Sequence, residues 1–214
     1  TTEIYTLSLH DALPICGIVM WPLAFLAFSA LGIGAFKWWE LSRVRLATPM
    51  DVQQVLRALE QGNEQKAREH GRAVPGPAGE MLVAAMDHLD EKKEYIEEVM
   101  YERMLATKPR LEALLPFIAL TATAAPLLGL LGTVTGMIST FSLISLFGTG
   151  DPRTLSSGIS EALVTTKWGL LIAIPAVLIY AFLNRKAKGL LASMEQTAVS
   201  FINGLPERRE SAVA

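Results

Sequence analysis

Three long stretches without a charged side chain decide what this chain can fold into. They cover residues 15–36, 113–150 and 168–184, which are 22, 38 and 17 residues long. As helices, the first and third would be about 33 and 26 Å long, close to the ~30 Å hydrocarbon thickness of a bilayer. Hydrophobic residues make up 51% of the 214-residue chain and charged residues only 19%. The sequence therefore predicts an all-α membrane protein with three transmembrane helices.

The second stretch is longer than a membrane is thick. As one helix it would reach about 57 Å, so part of it must project beyond the hydrocarbon or bend. Pro116 and Pro126 are placed to kink it. We expect a first span at 15–36, a cytoplasmic helical region at 37–110, a second span with a cytoplasmic extension at 111–147, a short periplasmic loop at 148–154, a third span at 155–184, and a cytoplasmic helix and tail at 185–214.

The distribution of basic residues predicts the orientation. Seventeen of the 19 Lys and Arg residues fall on one side if the chain crosses the membrane three times. The positive-inside rule places that side in the cytoplasm, so the N-terminus is expected to be periplasmic and the C-terminus cytoplasmic. Lys37 is expected to snorkel beside the interfacial Trp38 and Trp39. Residues 1–15 are set aside as a non-native segment, because 5–15 resembles a translated sequencing adaptor.

The region between the first two spans predicts helices in the cytoplasm. Thr48 and Pro49 precede an apolar-periodic run that ends near Gly62, which indicates a short helix. Residues 71–79 (GRAVPGPAG) predict a loop. From Glu80 onward, apolar residues recur at helical spacing as far as Met104, which predicts one amphipathic helix that continues toward the second span.

The chemistry-bearing residues exclude several classes of function. Cys16 is the only cysteine, and the three histidines lack metal-ligand spacing, so neither a disulfide framework nor a metal site is expected. The sequence contains no P-loop, no HExxH and no dinucleotide fingerprint after a strand, so we expect no enzyme and no cofactor. A net charge of −2 and no aromatic-basic stripe leave no footprint for nucleic acid.

Glycines in the second span favour a packing role. Gly129, Gly132 and Gly136 recur at helical spacing near one face, and the last two form a GxxxG pair that permits close helix contact in lipid. Thr133 lies between that pair and is the hydroxyl most open to a functional role. The other hydroxyls of the span are expected to bond back to carbonyls of their own helix.

Glu161 is the most informative ionisable residue. If the third span begins near Lys167, Glu161 is an interfacial carboxylate; if it begins near Thr154, Glu161 lies about 10 Å inside the membrane. A carboxylate at that depth is expensive unless it is protonated, paired or facing a wet cavity, which would suit proton binding. Thr165 lies four residues later on the same face, so Thr165 and Lys167 are counted with Glu161 as candidate residues of a proton pathway. Lys167 is expected to snorkel, or to pair with Glu161 of a neighbouring copy or with a partner's carboxylate.

Three motifs resemble the ExbB/TolQ/MotA proton-channel family, with the ExbB branch nearest. They are APLLGLLGTVTGMI at 125–138, GISEALVTT at 158–166 and GLLIAIP at 169–175. The resemblance implies a bacterial inner-membrane subunit that forms a ring-shaped homo-oligomer of five copies. It also implies that an ExbD-like single-span partner sits in the pore and supplies an essential aspartate, and that a TonB-like protein acts with the complex.

The same resemblance implies roles for particular residues. Glu161 corresponds to the family's pore glutamate, Thr133 and Thr166 to its pore threonines, and Pro126 and Pro175 to its helix prolines. Lys167 departs from the apolar residue that many relatives carry. The leading hypothesis is a proton-channel and stator subunit that uses the proton gradient to power outer-membrane import. The alternatives are a TolQ- or MotA-like stator and a non-conducting membrane scaffold.

Overall fold

The described part of the protein is helical throughout. The computed structural model describes residues 19–44, 47–147 and 152–205, and within these ranges it contains helices and connecting turns but no strand. The seven α-helices of these ranges are α1 (Met20–Arg43), α2 (Pro49–Glu60), α3 (Glu64–Ala73), α4 (Pro77–Met86), α5 (Lys93–Glu112), α6 (Leu115–Phe147) and α7 (Pro152–Gly204). The predicted all-α class is therefore confirmed.

Three candidate membrane spans emerge from helix length and hydropathy, as the sequence predicts. They lie within Met20–Arg43, Lys93–Ser142 and Gly158–Gly204. Helices α6 and α7 contain 33 and 53 residues. They are thus about 50 and 80 Å long, so both exceed the ~30 Å of bilayer hydrocarbon. The protein is accordingly a membrane protein whose second and third spans continue as helix beyond the lipid.

The chain divides into two compact units. The first contains the described part of Thr1–Lys37 together with Leu114–Phe182. The second contains Trp38–Ala113 and the described part of Leu183–Ala214. The second unit has its own apolar core, in which methionines from α4, α5 and α7 pack around valines of α2. Unbranched methionine side chains adapt to irregular gaps, which suits a core formed by several short helices.

Helix α2 begins and ends as its sequence predicts. The Thr48 backbone N–H donates to Asp51 Oδ2 at 2.8 Å, and the Asp51 N–H donates to the Thr48 carbonyl at 3.0 Å. Pro49 occupies the first turn, where its missing N–H costs no helical hydrogen bond. Beyond the helix, Gly62 has a φ of +73°, a conformation that glycine adopts without a steric penalty.

The prediction of a loop at 71–79 is wrong. Helix α3 continues to Ala73 and α4 begins at Pro77, so residues 74–76 alone connect them. Gly76 makes the sharp turn with a φ of +78°. Gly79 serves another purpose, because a Cβ there would overlap the Val74 carbonyl. Part of the glycine content that suggests a loop therefore reflects the close approach of two helices.

The single amphipathic helix expected from Glu80 to Met104 is also wrong. Helix α4 ends at Met86, residues 87–92 form turns, and α5 begins at Lys93. The break follows Asp87, which caps the C-terminus of α4 and whose carboxylate accepts a hydrogen bond from the Arg68 guanidinium of α3. Two shorter helices can both bury their apolar faces in one core, to which Met81 and Met100 contribute.

The junction of α5 and α6 differs from the kink expected at Pro116. The helix ends at Glu112, and Leu114 has a φ of +68°, the left-handed conformation that costs a branched residue energy. Pro116 lies in the first turn of α6, where proline is tolerated. Helices α6 and α7 continue through Pro126 and Pro175.

Lys37 does not snorkel to the surface of the chain. Its side chain is 1% exposed. Arg43 lies at the surface of the chain instead, and its guanidinium carbon is 3.7 Å from the centroid of the exposed Trp39 ring. An arginine held over an indole in this way gains cation–π attraction while its donors stay available to water and headgroups.

Candidate functional site

The glycines of α6 form one side of an interface with α7, which we call the seam. It consists of small residues of α6 (Ala125, Gly129, Gly132, Gly136, Thr140) that contact small residues of α7 (Gly158, Ala162, Thr165, Thr166, Gly169). The residue numbers rise along one helix as they fall along the other, so the two helices run antiparallel. Small residues at such an interface let backbones approach closely, which is how helices gain dispersion energy within lipid.

Distances across the seam show that the glycines leave no spare room. A Cβ built on Gly136 would lie 2.9 Å from the Cβ of Ala162, and one on Gly129 would lie 3.1 Å from the Cα of Thr166. A Cβ on Gly132 would lie 2.7 Å from the Cβ of Thr165. All three are shorter than an ordinary carbon–carbon contact of about 3.5–4.0 Å. The helices therefore approach closely at three successive levels, with backbone atoms of α7 opposite Gly129 and Gly136 and the Thr165 side chain opposite Gly132.

Two threonine hydroxyls cross the seam to the same carbonyl. Thr166 Oγ1 donates to the Gly129 carbonyl at 3.1 Å, and Thr165 Oγ1 lies 3.3 Å from that oxygen. Thr165 Oγ1 also donates to the Ala162 carbonyl at 2.7 Å. Thr165 is 2% exposed, whereas Thr166 is half-buried. These two predicted pore residues thus lie at the seam and hydrogen-bond within the chain.

Thr133 lies apart from them. Its hydroxyl donates to the Leu130 carbonyl of its own helix at 2.7 Å, and its side chain is half-buried. The same local bonding holds for Thr121, Thr123, Thr135 and Thr140, as expected for hydroxyls in an apolar helix. Within one chain, Thr133 is therefore not joined to the seam hydroxyls.

Glu161 belongs to α7 and follows the start of that helix at Pro152. Its side chain lies outside the part of the structure that is described, so only its backbone position enters the geometry. The next residue, Ala162, packs on Gly136, and Thr165 packs on Gly132 one turn later. In a helix, consecutive residues are about 100° apart, so position 161 borders the stripe that contacts α6. Lys167 is exposed and lies two residues beyond the buried Thr165.

Helix α1 contacts α7 as well. A Cβ on Gly34 would lie 2.9 Å from Cγ2 of Ile179, and Met20 is buried against Val164 and Trp168. Helix α7 is therefore held by both other membrane helices of its chain.

The α7 side of the seam contains residues whose packing role sequence reasoning did not assign. Gly158, Ala162 and Gly169 are spaced four and seven residues apart, as small residues on one helix face would be. The α6 glycines, three and four residues apart, also share one helix face, and these two stripes of small residues are the signal that could have identified the partner face.

The site offers hydroxyls and carbonyls rather than a set of metal ligands. Among the described residues, no three His, Cys, Asp or Glu side chains gather where they could hold a metal ion. Hydroxyls in an apolar helix pair can orient a proton donor or acceptor, because each can both donate and accept a hydrogen bond.

Comparison with known proteins gives consistent results. The family model described as the MotA/TolQ/ExbB proton channel family matches residues 73–196. The biopolymer transport protein ExbB-like 1 of Synechocystis sp. is 34% identical over 175 residues, which cover 78% of this chain and 67% of that protein. The Tol-Pal system protein TolQ of Pseudomonas aeruginosa is 33% identical over 102 residues, 48% of this chain and 44% of TolQ.

A solved structure shares the fold. The structure of C. jejuni MotAB matches with a TM-score of 0.53 and 16% sequence identity, over 88% of this chain and 83% of that one. At this identity the likeness concerns the fold alone. The chain spans about two thirds of the first relative above and less than half of TolQ.

Proposed function

Because the chain belongs to the MotA/TolQ/ExbB proton channel family, we propose that it is the channel and stator subunit of an inner-membrane complex that uses the proton gradient to do mechanical work. The α6–α7 pair carries this proposal. Between residues 113 and 184, Asp151 and Glu161 are the only acidic residues, and Glu161 precedes the two seam threonines by about one helical turn. An ionised carboxylate in hydrocarbon has a high free energy, so an acid in such a setting binds a proton readily and can exchange it.

The proposed assembly is a ring of five copies with a single-span partner subunit in its pore. Large apolar side chains of α6, among them Leu127, Ile138 and Phe141, are at least 60% exposed in one chain. Neighbouring copies and lipid would cover them. In this assembly Glu161, Thr133, Thr166 and the exposed Lys167 are pore residues, and the partner supplies a carboxylate that exchanges protons with them.

The proposed orientation follows from charge. The second unit, which carries most of the Lys and Arg residues, lies in the cytoplasm, and the N-terminus is periplasmic. Each proton that crosses the membrane releases about 2.3 kcal/mol per 100 mV of potential. Rotation or rocking of the partner's helix would convert this energy into motion, and the chain itself makes and breaks no covalent bond.

For the pathway, we propose the ExbB type, in which a TonB-like protein carries the work to the outer membrane for import. The ExbB-like relative supports this branch. A TolQ-like role in envelope maintenance and a MotA-like role in motility are the alternatives that the TolQ relative and the MotAB fold favour. Deleting the partner subunit separates the three, because it would abolish siderophore uptake, envelope integrity or swimming, respectively.

Replacement of Glu161 tests the channel itself. Proton flux is measured in inverted membrane vesicles that contain the chain and its partner subunit. We expect Glu161→Gln to abolish flux while the oligomer still assembles, because the amide cannot release a proton. Glu195→Gln is the matched control, since Glu195 is an exposed acid on the same helix within the second unit. Normal flux through the Glu161→Gln complex would refute the proposed role.

A further inference from the structure

Thr165 and Thr166 are adjacent in sequence but differ in environment. Thr166 is half-buried, and its hydroxyl donates to the Gly129 carbonyl at 3.1 Å. Thr165 is 2% exposed, its Oγ1 is 2.7 Å from one carbonyl and 3.3 Å from another, and its side chain fills the space above Gly132. A hydroxyl enclosed in this way has no free face for water or for a partner's carboxylate.

We propose that Thr165 is a positioning residue rather than a proton carrier. It locks α7 against α6, so that the two helices move as one body during transport and the position of residue 161 on α7 is fixed relative to α6. This inference rests on the proposed channel function, because it concerns how the same acid is held. It also removes Thr165 from the pore residues that the sequence predicts.

Because Thr165 packs closely on Gly132, α7 can pack against α6 in only one rotation about its own axis. The residues that face α6 are small, whereas their helical neighbours Leu163 and Val164 are larger. Turning α7 by one position, about 100°, would press one of those side chains onto the glycines of α6. Ala162 lies so close to Gly136 that a Cβ built on the glycine would be 2.9 Å from its own Cβ, so a larger side chain in place of Ala162 would overpack the seam.

The length of the seam supports motion as one body. The contacts run from Thr140 and Gly158 at one end to Ala125 and Gly169 at the other. Fifteen residues of α6 separate these ends, which corresponds to about 22 Å of the ~30 Å hydrocarbon. Sliding α7 along α6 would break these close contacts, some to backbone and some to side-chain atoms, at every level at once. Movement between neighbouring α6–α7 pairs would break none of them.

The first experiment removes the Thr165 hydroxyl and keeps its shape. Thr165→Val is compared with Thr165→Ser, which restores the hydroxyl, and with Thr135→Val, a control whose exposed hydroxyl bonds its own helix. We expect Thr165→Val to lower proton flux per assembled complex about tenfold, because displaced reacting groups lose rate steeply. Thr165→Ser and Thr135→Val should stay within about twofold of wild type.

Two outcomes of that experiment would overturn the inference. One is full flux per assembled complex in Thr165→Val. The other is a Thr165→Ser variant as defective as Thr165→Val, since the hydroxyl would then not matter. A purely structural role would lower the amount of assembled complex and leave the flux of each complex unchanged.

A reversible cross-link tests the single-body motion without altering Thr165. In a Cys16→Ser background, cysteines replace Thr140 and Gly158, whose Cβ atoms would lie 3.4 Å apart. This is near the ~3.5–4.5 Å of natural disulfides. We expect the oxidised complex to conduct within about twofold of the reduced one, since the bond restrains nothing that moves. Loss of flux on oxidation, restored by reductant, would overturn the inference.

Failure of the channel proposal is recognised separately. If the wild-type complex carries no proton flux, the proposed function is refuted. The role of Thr165 in joining α6 and α7 is then tested by comparing the melting temperatures of two variants. The melting temperature of Thr165→Val should then be about 1–2 °C below that of Thr135→Val, as expected for the loss of an interhelical hydrogen bond of about 0.6 kcal/mol. Equal melting temperatures would overturn the role of Thr165.

Discussion

Gly132→Ala is the substitution that tests the seam most directly. The new Cβ would lie 2.7 Å from the Cβ of Thr165 and closer still to its hydroxyl oxygen. The Cβ position is set by the backbone, so no change of rotamer relieves the first contact. Carbon atoms prefer to be about 3.5–4.0 Å apart, and α6 and α7 must therefore separate by about 1 Å.

The separation also breaks a hydrogen bond. The Thr166 hydroxyl is 3.1 Å from the Gly129 carbonyl, and a shift of about 1 Å takes it beyond bonding range. Overpacking costs about 1–3 kcal/mol and the loss of an interhelical bond about 0.6 kcal/mol. Together they predict a loss of roughly 2–4 kcal/mol in the free energy of unfolding. For a chain of this length the melting temperature should fall by about 5–10 °C.

A matched control separates this effect from helix propensity. Gly32 lies in α1, and a Cβ there would meet no atom within 4 Å. Gly32→Ala should therefore raise the free energy of unfolding by up to about 1 kcal/mol. Both variants are purified in detergent and unfolded by heat, with circular dichroism at the helix band as the readout. Equal melting temperatures for the two variants would refute the seam.

A double-mutant cycle identifies the partner of Gly132. In Thr165→Gly the opposing Cβ is absent, so the added methyl of Gly132→Ala has room. We expect Gly132→Ala to cost less than about 0.5 kcal/mol in that background, against roughly 2–4 kcal/mol in the wild type. Equal costs in both backgrounds would show that the methyl group meets another residue.

Two further predictions concern the junction and the second unit. Leu114→Gly should raise the free energy of unfolding by about 1 kcal/mol, because glycine adopts a φ of +68° without strain. Leu114→Ala retains Cβ, so it should not raise the free energy of unfolding. Equal melting temperatures for Leu114→Gly and Leu114→Ala would show that the backbone at residue 114 is not strained. Lys93→Met removes the ammonium that donates to the Leu205 carbonyl at 2.8 Å and should cost about 0.5–1.5 kcal/mol in a denaturant titration. Lys92→Met replaces a neighbouring exposed lysine and is the control. An equal loss of stability in Lys92→Met would show that the hydrogen bond from Lys93 to the Leu205 carbonyl does not stabilise the fold.

The sequence was most informative where a single local property decides the structure. An uncharged stretch must find an apolar environment, so three membrane helices could be predicted from length and composition. Thr48, Pro49 and Asp51 begin α2 by bonds within one turn, and that helix was predicted correctly. The family motifs identified α6 and α7, but they did not reveal which side chains meet.

The sequence was least informative where a residue has two possible uses. The glycines at 71–79 suggest a flexible loop. Gly79, however, lies within a helix, where the absence of a Cβ lets the Val74 carbonyl approach closely. The apolar periodicity from Glu80 onward fits one helix, but two helices bury more of it in a common core. Lys37 follows a membrane span as a snorkelling lysine would, yet its side chain is buried.

Charge pattern, the three membrane spans and the family thus follow from the sequence alone, because each depends on residues close together in the chain or on totals along it. The roles of Thr165 and Thr166 depend on tertiary structure, because hydroxyls one position apart point in directions about 100° apart. Which of them is enclosed is decided by the helix opposite. The seam places Gly132 above Thr165 and the Gly129 carbonyl between both hydroxyls. No local pattern carries that pairing, since it joins residues more than 30 positions apart in the chain.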